Sequence, residues 1–122
     1  MVILIAHGSR DPAWRRSLEA LTEAVNKACE SDEVRLAFMQ FTGPSLPEIV
    51  EEGHGKGIRS FRLLPLFMAS AGHVDKDIRP LLEELKPKHP QAEFELMTPV
   101  GENPSFPDLL IDIVNHPPRG DE

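Results

Sequence analysis

Two histidines stand where an alternating strand–helix chain concentrates its chemistry. His7 closes the apolar run Val2-Ile3-Leu4-Ile5-Ala6 and precedes a tight Gly8-Ser9 turn, while His73 follows Gly72 at the start of a helical pattern. Neutral imidazole is the form that binds transition metals, and the same ring serves as a general base. The partial positive charge of a helix start favours the uncharged ring of His73. Read singly, either histidine fits a hydrogen-bonded loop residue equally well. Their common placement, after the first and the third apolar runs, is what makes a shared site. Gln40 ends the second run, where its amide faces the same edge as a weak ligand that accepts no proton. Arg10, Arg15 and Arg16 cluster at one helix start, and Lys76 and Arg79 at another. Cations beside unpaired backbone N–H groups can hold carboxylates there, although a solvated charged face is the commoner role of any one of them. Arg10 is the best placed, because its turn follows His7 directly.

The elements that must position these residues alternate four times as strand then helix. Met1 aside, the first run is continuous and rich in β-branched residues, as in a parallel strand buried on both faces. Asp11-Pro12 supplies an N-cap and a first helical position, followed by Leu18, Leu21, Val25 and Ala28 at helical spacing. The second strand is predicted from Glu33 to Gln40. Ser45 and Glu48 have capping-box spacing ahead of a short helix with Leu46, Ile49 and Val50 inward. The third strand is predicted over Phe61 to Phe67. Asp75 and Asp77 then suit the first turn of a helix burying Ile78, Leu81, Leu82 and Leu85. A fourth strand spans Ala92 to Met97, and a last helix, capped by Ser105 or Asn103, turns Phe106, Leu109, Leu110 and Ile113 inward. This order predicts an α/β fold, a four-stranded parallel sheet with helices on both faces, of flavodoxin or Rossmann type. Residues 1–115 form one domain in this reading, and 116–122 a frayed tail without an apolar stripe. Ligands of such sheets gather beyond the carboxyl ends of the strands, which selects His7, Gln40, the Ala69–His73 loop and the Pro99–Pro104 loop.

Composition narrows the partners. At 122 residues the chain suits one core, and its 40% hydrophobic and 27% charged residues are those of an ordinary globular domain. A formal net charge of −7 argues against nucleic acid or an anionic membrane, and six Phe, one Trp and no Tyr make a base-stacking surface a poor fit. The run Met1–Ala6 is too short to span a bilayer and has no basic leader, and Cys29 is the only cysteine. A reducing cytoplasm is the expected location. The segment Gly53-His54-Gly55-Lys56-Gly57 resembles a phosphate loop but follows a helix and precedes a strand, so it falls at the opposite sheet edge. His54, His89 and His116 read as surface residues, Met39, Met68 and Met97 as core fillers, and Trp14 as crevice wall or helix packing.

Taken together, several segments resemble the CbiX/SirB family of sirohydrochlorin chelatases. Leu4-Ile5-Ala6-His7-Gly8-Ser9-Arg10-Asp11-Pro12 is similar to the family's amino-terminal signature, and Leu64-Pro65-Leu66-Phe67 through Gly72-His73-Val74 and Asp77-Ile78 to its second. Ala37-Phe38-Met39-Gln40 with Pro44-Ser45-Leu46 falls at the middle motif, and Pro99-Val100-Gly101 with Pro104 at the last loop. The resemblance implies a chelatase-like fold in which His7 and His73 bind the metal and act in catalysis. Arg10, Ser9, Gln40 and Gly72 are the expected contacts to the tetrapyrrole. It implies insertion of a divalent metal, cobalt first and nickel or iron next, into sirohydrochlorin, a macrocycle carrying eight carboxylates. The metal is then a substrate and no permanent cofactor is needed. A chain of this length resembles the short form, which pairs as a homodimer to complete a cleft. The family usually has glutamate where this chain has Gln40. His73 is therefore the candidate proton acceptor, with His7 as its partner ligand. The alternative is a metal- or tetrapyrrole-binding protein without turnover on the same fold.

Overall fold

The computed structural model describes residues 1–69 and 74–118. Along them run β1 (Val2–Ala6), α1 (Pro12–Ala28), β2 (Val34–Phe38), α2 (Leu46–Gly55) and β3 (Ser60–Pro65). A π-helical turn (Val74–Ile78) leads into α3 (Arg79–Lys88), followed by β4 (Glu93–Leu96), a 3-10 turn (Val100–Glu102) and α4 (Phe106–Asn115). All four strands are parallel, in the order β2-β1-β3-β4. The α/β class and the four-stranded parallel sheet predicted from the alternating pattern are thus observed.

The continuous apolar run of β1 follows from its central place in the sheet. Ile3 and Ile5 face a core shared with Leu46, Ile49 and Val50 of α2 and with Ile78, Leu82 and Leu85. Leu4 and Ala6 face the other side, packing with Val34, Leu36 and Phe38 of β2 and with Leu18 and Val25 of α1. Helices thus cover both faces, and a period-two polar residue has no place in this strand. Each fully buried aliphatic side chain here contributes roughly 2 kcal/mol. The caps form as expected: the Asp11 carboxylate accepts from the Ala13 N–H at 2.9 Å, and Ser45 and Glu48 complete a reciprocal capping box.

Five expectations are corrected. β2 stops at Phe38 instead of Gln40; the Met39 N–H still donates to the Ala6 carbonyl at 2.9 Å, but the chain then turns away. In α1 the inward residues are Leu18, Thr22 and Val25, with Leu21 exposed, because the helix presents only a narrow stripe to β2. His89 is buried: it caps α3, its ring lies edge-on to His54 with centroids 4.9 Å apart, and its Nε2 is 3.6 Å from Glu51. Met68 is exposed, because it follows β3 onto the sheet edge.

The largest departure is α4, none of whose residues is buried. Phe106 is only half-buried, and Leu109, Leu110 and Ile113 are exposed. Ser105 is the N-cap residue but makes no side-chain cap bond, and the Asn103 side chain instead accepts from the Ser105 N–H at 2.8 Å. A groove of about 420 Å³ lined by Leu64, Glu95, Met97 and Val100 remains on the β3–β4 face. An apolar stripe requires a cover, but it does not say that the same chain provides it.

Candidate functional site

With the strand order β2-β1-β3-β4, β2 and β3 flank β1 on opposite sides, so the crevice opens beyond the carboxyl ends of β1 and β3. His7 stands at that point. Its ring stacks on Phe67, which follows β3, with centroids 4.4 Å apart and 23° between planes. Its backbone carbonyl accepts from the Trp14 indole N–H at 2.7 Å. Trp14 thus ties the β1 terminus to α1, which answers why an indole sits in the first turns of that helix. A ring stacked on a buried phenyl and anchored through its own backbone is oriented before any ligand arrives.

Gly8 lets the next segment approach. A Cβ at this position would lie 1.4 Å from the Gln40 carbonyl oxygen, so the loop after β2 presses directly on the turn after β1. This contact joins two motifs far apart in the sequence. Gln40 itself is exposed at the loop, and with His7, Met39 and Asp77 it lines a cavity of about 300 Å³.

Ser9 and Arg10 open onto a second cavity of about 360 Å³ with Asp11, Pro12, Arg15, Phe41 and Thr42. The Arg15 guanidinium donates to the Thr42 hydroxyl at 2.9 Å, and Arg10 lies over the Phe41 ring, 5.1 Å from its centroid. The loop from Met39 to Thr42 divides the two cavities. His7 and Gln40 are therefore brought together, with Ser9 and Arg10 next door. Gly72 and His73 lie outside the described residues. Among the described residues no group of three or more His, Cys, Asp or Glu side chains is arranged to hold a metal.

The sequence marks Asp77 as a helix-start residue and, with Phe67, as part of the second signature, but it gives neither of them, nor Phe41, a role in the site. The places of Phe41 and Phe67 in the site arise from the neighbouring strand ends.

The fold and crevice define a flavodoxin-like parallel α/β domain that presents an oriented histidine at the switch point of its sheet. The CbiX family model matches residues 1–116, and the chain belongs to that family. A solved CbiX protein from Marinobacter aquaeolei VT8, described as a protein of cobalamin (vitamin B12) biosynthesis, is 36% identical with a TM-score of 0.83, and the match covers 94% of this chain and 91% of that one. The sirohydrochlorin cobaltochelatase of Methanopyrus kandleri is 25% identical over 91% of this chain and 92% of its own. The chelatase SirB from Bacillus subtilis subspecies spizizenii, solved with cobalt, shares the fold at a TM-score of 0.82 and 18% identity, and this chain spans 47% of its length.

Proposed function

We propose that this protein is a sirohydrochlorin chelatase that inserts a divalent metal, cobalt first and nickel or iron as alternatives, into the macrocycle. The observation that carries this reading is His7, oriented by Phe67 and Trp14 at the mouth of the cavity shared with Gln40 and Asp77. Membership of the CbiX family and the chelatase names of its relatives support it. Insertion must strip water from the ion, present it to the ring nitrogens and remove two pyrrole protons. His7 and His73 hold the ion and leave positions open for the macrocycle. Once the ion has passed to the ring, the His73 imidazole accepts a pyrrole proton. Arg10 and Ser9, in the adjoining cavity, orient peripheral carboxylates. The metal is consumed as substrate, and no permanent cofactor takes part. Among the described residues no helix is long and apolar enough to cross a membrane. The cytoplasm is the proposed location.

The test is anaerobic absorbance of sirohydrochlorin and cobalt with catalytic amounts of protein. Multiple turnovers above the spontaneous rate are expected. Stoichiometric binding without acceleration by cobalt, nickel or iron would instead establish the carrier reading that Gln40 favours. Gln40 also yields a prediction of its own. An acid in the His7 cavity gains a proton-accepting group that the amide lacks, so Gln40→Glu is expected to raise kcat by about tenfold. An unchanged kcat removes this position from proton transfer.

We further propose that the working unit is a homodimer covering α4 with a second copy of the chain. Leu109, Leu110, Ile111, Ile113 and Val114 are 43% to 76% exposed. They leave on the order of 500 Å² of apolar surface on one helix, near the upper end for a monomer and over half of the ~800 Å² per partner in a stable interface. A cavity of about 300 Å³ is also at the small end for a ligand site, so one unit encloses only part of a macrocycle. Light scattering after gel filtration is expected to show a dimer for the parent and a monomer for Leu110→Glu with Val114→Glu. A monomeric parent at micromolar concentration would refute the dimer.

A further inference from the structure

Phe41 occupies a backbone conformation that a bulky side chain rarely adopts. Its φ is +68°, and the Thr42 N–H donates across it to the Gln40 carbonyl at 2.9 Å. This is the γ-turn of positive φ, a rare and strained geometry that glycine or asparagine would accept at less cost. The strain persists because the flanking residues are clamped. The Gln40 carbonyl is wedged against Gly8, Thr42 is held by Arg15 at 2.9 Å, and the Phe38 N–H donates to the Pro44 carbonyl at 2.9 Å. The loop is therefore fixed without help from the phenyl ring, which is 60% exposed. Folding alone gives little reason for an aromatic side chain here. Strained residues held by their surroundings cluster where a side chain must be presented.

What surrounds the ring says what it meets. The preceding residue, Gln40, lines the His7 cavity, while Phe41 lines the neighbouring one together with Arg10, Arg15 and Ser9. The Arg10 guanidinium lies 5.1 Å from the ring centroid. An exposed flat apolar face beside two cations, at the boundary of a metal-ligand cavity, matches a flat macrocycle with acidic substituents. Building on the chelatase reading, we infer that Phe41 is a substrate contact that stacks on the tetrapyrrole plane, with Arg10 taking a carboxylate at the same edge. Phe41 then sets the tilt of the macrocycle over His7, and so selects for an extended flat ligand carrying peripheral carboxylates.

The test titrates metal-free sirohydrochlorin, followed by its absorbance, into the full-length parent and into Phe41→Gly, Phe41→Leu and Phe41→Trp. Loss of one stacking face is expected to raise Kd about tenfold in the glycine and leucine variants, with tryptophan near the parent. Calorimetric cobalt affinity is expected to stay at the parent value in all three. The Tm of Phe41→Gly is expected to be no lower than that of the parent, since the strain is relieved. Parent-like macrocycle affinity in Phe41→Gly overturns the inference. So does a loss of cobalt affinity or of Tm that tracks the loss of macrocycle affinity. A parent protein that binds no macrocycle at all refutes the chelatase reading itself, a result distinct from an insensitive Phe41.

Discussion

His7→Ala is expected to lower cobalt insertion by about 10²–10⁴-fold in kcat while the protein remains folded. In the proposed mechanism this ring holds the ion, and among the described residues no group of three or more His, Cys, Asp or Glu side chains is arranged to hold it instead. Its structural contribution is small by comparison. The stacking on Phe67 is worth about 1 kcal/mol, and the Trp14 bond to the His7 backbone carbonyl survives the substitution. Circular dichroism and thermal unfolding alongside the turnover assay separate the two effects. His73→Ala is expected to have a loss of the same order, because the proposal gives it both a ligand and a base role. Retained turnover in both variants would remove the proposed site.

Gly8→Ala is expected to be as damaging to turnover, although it touches no chemistry. A methyl group at this position would sit 1.4 Å from the Gln40 carbonyl oxygen, well inside any allowed contact, and that oxygen belongs to backbone clamped on both sides. The loop after β2 must move, at a cost of about 3 kcal/mol or more in stability. Moving it displaces Gln40 from the His7 cavity and Phe41 from Arg10. Urea denaturation measures the first consequence and the insertion assay the second. Parent-like stability in Gly8→Ala would show that the two loops are not packed as described. Because Gly8 joins the β1 turn to the β2 loop, a fall in both quantities together is the diagnostic pattern.

Much of this architecture was readable from local signals. The buried run of β1, the Asp11 and Ser45 caps and the apolar spacing of α2 and α3 each act over a few residues, so sequence neighbours suffice to read them. Their order then implied the parallel sheet, and the sheet implied which strand ends carry His7 and Gln40. The pairing of His7 and Gln40 in one cavity is the part of the site that this reasoning reached.

Other features depend on which segments meet in space, and no local pattern encodes that. Asp77 lines the His7 cavity because the turn before α3 passes the end of β1, and Phe67 reaches His7 because β3 is paired with β1. The early end of β2 and the positive φ of Phe41 come from a loop pressed on Gly8. His89 reads as an ordinary polar residue near a helix end, yet packing around the end of α3 buries it. The apolar face of α4 was legible, but its failure to fold back on the sheet was not. Periodicity records that a surface must leave water; only tertiary geometry decides whether the same chain or a second one covers it.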